Sequence, residues 1–555
     1  MDTQRIIAFI IFSFSTLLLW ESWQSYNNPQ PTIEVQASKD NQQVAPANAE
    51  LPQPGQILKP GTTVLSDSGQ IARGARARII TDVIDAEIDG NGGDLRKVVL
   101  SRYRQNDAAD QPFVLLEERP GRNYFAQMGF VGGTLPTHKT VFELVPGEYR
   151  LKDGQNELKV VLKASVNNAE VLRTYKFQRG SYVVDVETQI LNRSGAVVEG
   201  FPYYQILRHG QPPEGESALM HTFTGPAFYT DIGKFQKVTF EDISKGKTDF
   251  VKESKDGWIG LVQHHFVSAW VTTDPADASQ REFYTRAIGD NEYSAGMIFP
   301  AIKLNPGEEK TVSMRLYAGP QELEKIKSLA LGLDLVVDYG WLTILAYPIF
   351  ILLNWINKLV INWGVSIILL TVLIKLVFYP LSAAGYKSMA KMRKLAPRLQ
   401  NLKERYGDDR QKLHEGMMKI YQEEKINPMG GCLPILVQIP VFIALYWVLM
   451  GAVELRQAPF ALWIQDLSKP DPYYVLPVIM AITSFIQVKL SPASPDPVQQ
   501  KVMMAMPVIF SVMFLFFPAG LVLYWLVNNV LSILQQWRIN KIIEAGGKAA
   551  NDAKH

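Results

Sequence analysis

Ile367-Ile-Leu-Leu-Thr-Val-Leu-Ile-Lys375-Leu-Val-Phe-Tyr-Pro380 is an apolar helical run with one cation near its end. A lysine at the centre of a bilayer costs about 2.5–3.5 kcal/mol on insertion scales. None of the other long apolar runs carries an Asp or Glu to offset it. The cation has to be relieved by water, by lipid phosphate or by something brought to it. Residues 341–537 hold most of the long apolar stretches, whereas residues 28–335 are polar and strand-patterned. The pattern predicts an α-helical membrane core joined to a large all-β domain.

Outward from Lys375, Asn354, Asn357 and Lys358 fall at helical spacing opposite Leu352, Trp355 and Leu359. Such a helix over 341–361 is expected to lie in the membrane surface, with one long kinked span as the alternative. The first core span is then 362–380. Further spans are expected at 433–453, 473–490, 502–517 and 521–537, the last two parted by a turn at Pro518-Ala-Gly520. At about 16 residues, or about 24 Å, the last two are short against a hydrocarbon core of about 30 Å. Residues 1–27 read as an uncleaved signal anchor, because Glu-Ser-Trp-Gln-Ser rather than a small-residue cleavage site follows Ile6–Trp20. That makes six membrane helices, five of them in the core.

Residues 28–60, rich in Pro, Gln, Asn and Ala, read as a flexible linker. Over 61–335 alternating segments such as Leu158–Ala164, Val171–Phe177, Tyr182–Ile190, Phe266–Thr272, Glu282–Ile288 and Lys310–Ala318 predict a large β-sandwich. Gln321–Leu333 reads as helical. The net charge of +2 says nothing about nucleic acid, and the single cysteine, Cys432, excludes an internal disulfide framework.

Lys387–Lys425 holds eleven Lys or Arg, whereas Ala452–Pro472 holds only Arg456 and Lys469. The positive-inside rule places the first loop in the cytoplasm, and both termini with it (the 538–555 tail included); the β domain is then outside, in the periplasm of a bacterium. Within that loop Met392, Leu395, Leu399, Leu402 and Tyr406 repeat at 3,4 spacing, continued by Leu413, Met417 and Ile420. This predicts a helical hairpin, with Asp408 or Asp409 capping the second helix. Its basic residues Lys391, Arg393, Lys394, Arg398, Lys403 and Arg405 suit a partner-binding face for anionic lipid, ribosomal RNA or protein. A solvated, orientation-setting loop is the plainer reading.

From Asn362 to Gln536 the chain resembles the YidC/Oxa/Alb family of membrane protein insertases. The matching strings are Asn427-Pro-Met-Gly-Gly-Cys-Leu-Pro434, Gln438-Ile-Pro440, Glu454-Leu-Arg-Gln-Ala-Pro-Phe-Ala-Leu-Trp463, Asp471-Pro-Tyr-Tyr and Phe517-Pro-Ala-Gly-Leu-Val-Leu-Tyr524-Trp. The resemblance implies an insertase and chaperone for nascent inner-membrane proteins, working alone or with the Sec translocon and its accessory subunits. It also implies the ribosome and signal-recognition-particle pathway as partners, a β super-sandwich for the periplasmic domain, and no cofactor, metal or catalytic residue. In such proteins a hydrophilic groove holds one basic residue, often arginine; Lys375 takes that place here, giving up the planar guanidinium fork. The resemblance further implies that Thr371, Tyr524 and Trp525 line the groove. Leu433, Pro434, Ile439 and Pro440 belong by the same resemblance to the helix that touches substrate.

From the residues alone, Gln438, Asn528 and Asn529 could add polar lining or make ordinary interhelical hydrogen bonds. Lys375 itself could face a groove or snorkel to the interface, since Pro380 lies only about 7.5 Å further along; the resemblance implies the groove. A transporter is disfavoured by the lack of intramembrane Asp, Glu or His. A periplasmic sugar-acting or sugar-binding protein would need convergent groups. His138, His209 and His221 show no ligand spacing, and His264 and His265, read as neighbours on one strand, would point to opposite faces. No small-molecule substrate is expected, and Asp89-Gly-Asn-Gly-Gly-Asp94 reads as a hairpin turn rather than a calcium loop.

Overall fold

The computed structural model describes residues 51–52, 73–106, 109–213, 222–274, 277–289, 291–407, 409–424, 433–490 and 497–552. The anticipated anchor helix, most of the linker, His221 and Asp408 lie outside the described residues. The chain divides into a unit ending at Asp338 and a unit formed by almost all of the chain from Tyr339 on.

In the first unit, twenty strands among the described residues form an eleven-stranded and a nine-stranded sheet, almost wholly antiparallel. Alternation decides the faces. Along Glu157–Val166, Val160, Leu162 and Ala164 turn inward while Glu157, Val161, Lys163 and Ser165 stay exposed. Ala169–Gln178 and Val183–Asn192 pair antiparallel around Arg179-Gly-Ser-Tyr, Val184 opposite Phe177. Trp258, Trp270, Tyr175, Tyr203, Tyr317, Phe125 and Phe177 fill the core. Tyr124–Val131 is buried along its whole length, as expected of a strand covered on both faces.

Burial here includes charge. The Arg96 guanidinium lies 3.7 Å from Asp89, 3.6 Å from Asp94 and 3.5 Å from Glu118, all nearly sealed from solvent. The turn Asp89–Asp94 is a hairpin, in which Gly92 and Gly93 adopt positive φ. There the Asp89 carboxylate accepts from the backbone N–H groups of Gly74 and Asn91.

Two expectations need correction. Residues 321–333 do not form one helix. Helix stops after Leu323–Lys327, and a 3-10 turn, Leu333–Val336, follows Gly332 in the left-handed region at φ 72°, a conformation that ends helices. His264 and His265 do not sit on a strand. They are the two-residue turn between Trp258–Gln263 and Phe266–Thr272, His264 at φ 36°, with their rings stacked at 3.7 Å. The unbroken apolar pattern around them hid a tight turn without glycine.

The second unit is helical: α1 Thr343–Val360, α2 Trp363–Val377, α3 Tyr379–Tyr406, α4 Arg410–Glu423, α5 Leu433–Gly451, α6 Val475–Leu490, α7 Pro497–Phe514 and α8 Ala519–Asp552. Among the described residues α1 is the one helix long and apolar enough by itself to cross a membrane. It buries Ala346, Phe350, Leu353 and Ile356 and leaves Ile344, Ile351, Trp355 and Leu359 exposed. α2 and the first part of α3 pass the same test together, bent by 68°. Pro380 accounts for the break, since it lacks an N–H and its ring collides with the carbonyl four residues back; it is tolerated in the first turn of α3. α8 is a single helix of 34 residues that carries through the tail.

α3 and α4 form an antiparallel pair around Leu395 and Leu399, with Met392, Met417, Ile420 and Tyr421 packed on them. Asp409 caps α4, its side chain accepting from the Lys412 N–H at 3.2 Å. The Lys412 ammonium and that N–H hold the Asp409 carboxyl below the usual carboxylate range.

Candidate functional site

The site is assembled on α2, α5 and α8. Asn362 starts α2. Its side-chain oxygen accepts from the Val365 N–H at 3.0 Å and its amide donates to the Phe460 carbonyl at 2.9 Å. Gly364 lets the Phe460 ring close on the helix, for a Cβ there would come within 2.0 Å of the ring. Three turns on, Lys375 projects from the last turn of α2.

The Lys375 ammonium donates to the Ser532 hydroxyl at 2.8 Å and to the Gln438 side-chain oxygen at a long 3.4 Å. The Gln438 amide turns the other way, donating to the Tyr524 hydroxyl at 3.2 Å and to Asn528 Oδ1 at 2.5 Å. Tyr524, Asn528 and Ser532 are spaced four apart on α8, so they form one polar stripe down an otherwise apolar rod. All three are buried. The ammonium has three donors and two are spent. Beside it a small recess, about 10 Å³ and so room for roughly one water, is lined by Ile374, Phe378, Leu381, Ser382 and Val437 as well as Lys375 and Gln438. No carboxylate pairs with Lys375 among the described residues. Such a site suits a transient carboxylate or polar peptide group, since it holds a cation on neutral oxygens only.

The other anticipated residues divide. Thr371 lies one turn before Lys375 but is 1 % exposed, and its hydroxyl donates to the Ile367 carbonyl of its own helix at 2.6 Å. Trp525 packs edge-on against Phe442, with ring centroids 4.8 Å apart. Ile439 is exposed beside the inward Gln438, and Pro440 is half-buried in α5. Leu433 and Pro434 open α5, and their side chains, like that of Lys403, lie outside the described residues. Asn529 is drawn elsewhere, donating to Ser484 of α6 at 2.8 Å.

On α3, Lys391, Arg393 and Arg405 are exposed. Arg398 pairs with Glu424 at 2.8 Å, and Lys394 reaches the Ile543 carbonyl of α8 at 3.4 Å. Two members of the site escaped sequence reasoning: Ser532, and Tyr386 of α3, whose hydroxyl stands beside that of Ser532. The signal for Ser532 was present, one turn past Asn528 and two past Tyr524. In the first unit, His138 and His209 stand apart, and no group of three or more metal-binding side chains occurs among the described residues.

Comparison with known proteins gives the family. The family model described as YidC periplasmic domain matches residues 76–352, and that described as 60Kd inner membrane protein matches residues 355–546. The membrane protein insertase YidC of Thiobacillus denitrificans is 55% identical over 99% of this chain and 99% of its own. That of Dechloromonas aromatica is 52% identical over the whole of both. A crystal structure of an active YidC insertase with its first transmembrane domain resolved covers 83% of this chain and 94% of its own, at 17% identity and a TM-score of 0.38. With near-full-length identity of about half to curated relatives, the chain belongs to the YidC family of membrane protein insertases.

Proposed function

We propose that this inner-membrane insertase passes the polar ends of its substrates through the recess at Lys375, with the ammonium as the transient partner of a substrate carboxylate. The single observation that carries the reading is the pairing of a half-buried ammonium with neutral oxygens alone, Ser532 and Gln438. A cation already paired to a fixed carboxylate would gain little from a second acid. One held by a hydroxyl and an amide keeps its charge uncompensated and ready. In this reading α2, α5, α6, α7 and α8 span the bilayer with an N-terminal anchor as sixth helix, and α1 lies along the periplasmic surface. Both termini and the α3–α4 hairpin are cytoplasmic, supported by the eleven basic residues of 387–425. Ile439, exposed next to Gln438, is the face of α5 that meets the substrate helix, in continuity with Leu433, Pro434 and Pro440. The basic residues of α3 meet the ribosome, signal-recognition-particle components or anionic lipid. The insertase works alone or beside the Sec translocon.

The test is Lys375→Glu in proteoliposomes, with a pair of single-span substrates whose translocated tails differ only in acidic residues. Insertion of the acidic-tail substrate is expected to fall about tenfold or more, the effect of losing one charge-assisted contact and gaining a repulsion of about 1.4 kcal/mol or greater. The neutral tail falls less. An equal loss for both tails defeats the electrostatic role.

A further inference from the structure

Ser532 is more than a wall of the recess. It is 2 % exposed. The hydroxyl donates to the Asn528 carbonyl at 2.7 Å, which locks its rotamer on α8. Its two lone pairs are then left to accept. The Lys375 ammonium donates to this oxygen at 2.8 Å, and the Tyr386 hydroxyl stands beside it. The two neighbours come from different elements. Lys375 is the last-turn cation of α2, and Tyr386 is an almost buried residue near the start of α3, the hairpin's first arm. Two further contacts seat the same arm on α8: the Gln535 amide to the Tyr379 carbonyl at 3.4 Å, and Lys394 to the Ile543 carbonyl at 3.4 Å.

We propose that Ser532 is a positioning residue whose hydroxyl holds the Lys375 ammonium in the recess and joins it, through one atom, to Tyr386 at the base of the hairpin. The seat of the hairpin and the place of the cation are thereby set together. A four-carbon side chain in the last turn of a helix has the reach to swing toward the membrane surface, and Ser532 is the acceptor that keeps it inward. Lifting the base of α3 draws Tyr386 away, opens the Ser532 oxygen to water, and loosens the ammonium for an incoming acid. This rests on the groove reading above, and deepens it by naming the residue that sets the cation's position.

Two readouts test it on the full chain in proteoliposomes. One is labelling of the Lys375 amine by a water-soluble N-hydroxysuccinimide ester, followed by peptide mass spectrometry. The other is the ratio of acidic-tail to neutral-tail insertion. Ser532→Ala is expected to raise Lys375 labelling several-fold and to lower the ratio. Ser532→Thr, which keeps the hydroxyl, restores both, and Tyr386→Phe shifts both in the direction of Ser532→Ala by a smaller amount. Wild-type labelling and ratio in both Ser532→Ala and Tyr386→Phe overturn the proposal. So does a Ser532→Thr protein as altered as Ser532→Ala, which makes the role one of packing. Lys375→Glu run alongside separates the two claims: if it shifts the ratio and the Ser532 variants do not, the groove stands and Ser532 has no part in it. If Lys375→Glu leaves the ratio unchanged, both fall.

Discussion

An ammonium among apolar side chains needs acceptors, and Lys375 finds two that carry no charge. The same economy of partners governs His138 in the first unit. Its backbone N–H donates to the Tyr203 hydroxyl at 3.0 Å, and that hydroxyl in turn meets the ring Nδ1, so the imidazole accepts and stays neutral. Burial, with Lys139 and two arginines nearby, pushes its pKa down to about 3. His209, buried next to Arg208, is likewise pushed down to about 3, and its Nδ1 accepts from the Gln211 N–H at 3.1 Å. In the unfolded chain both titrate near ~6.5. Their contribution is therefore whole above ~6.5 and drains away as pH falls from there toward 3, by about 1.4 kcal/mol per pH unit for each. Urea titrations between pH 7 and 4 are expected to show stability falling less steeply with acid in His138→Phe than in the unaltered chain, by one histidine's share of this slope. Of the site residues, Lys375, Gln438 and Asn528 were legible because charge or amide stands out in an apolar run, and Tyr524 through the family resemblance alone. Ser532 was not, because a lone serine in such a run usually bonds its own helix, as it also does here.

Elements were legible wherever a period was clean. The 3,4 repeat of Met392, Leu395, Leu399 and Leu402 marks the inner face of the α3–α4 pair, and Leu395 and Leu399 are its buried centre. Leu399→Ala is expected to loosen the pair by about 2 kcal/mol, at the low end for a buried leucine because the seam is one side chain deep. Backbone hydrogen exchange over 410–423 should then quicken about thirtyfold, with insertion lowered as well. Where local order runs against period, reading failed. Residues 321–333 have helical composition, yet the helix stops at Lys327 and a turn through Gly332 follows; the Gln263–Phe266 segment reads as strand, yet turns on two histidines. Residues 538–555 read simply as a tail, and α8 continues through them as far as Asp552.

At the scale of the whole chain, two units with separate cores divide the work. The β unit has its own aromatic interior and its own buried ion cluster around Arg96, and the residues that line the Lys375 recess belong to the helical unit. Removing residues 61–320 is accordingly expected to leave insertion of single-span substrates within roughly twofold in proteoliposomes, as for a domain that folds alone. A complete loss of insertion in that deletion, with the helical unit still folded by circular dichroism, would place substrate handling in the β unit instead.

The 68° break between α2 and α3 has an electrostatic consequence for the cation beside it. Because α2 stops at Val377, Lys375 lies in its final turn. The carbonyls of that turn form the negative pole of a helix macrodipole, equivalent to about half an elementary charge and worth about 0.3–1 kcal/mol to a nearby cation, and up to about 2 kcal/mol in a partly buried setting. Had the helix run straight from Trp363 into α3, that pole would lie many turns away. Pro380, by ending α2 two residues after Lys375, gives the ammonium a diffuse backbone counterion that no carboxylate side chain supplies.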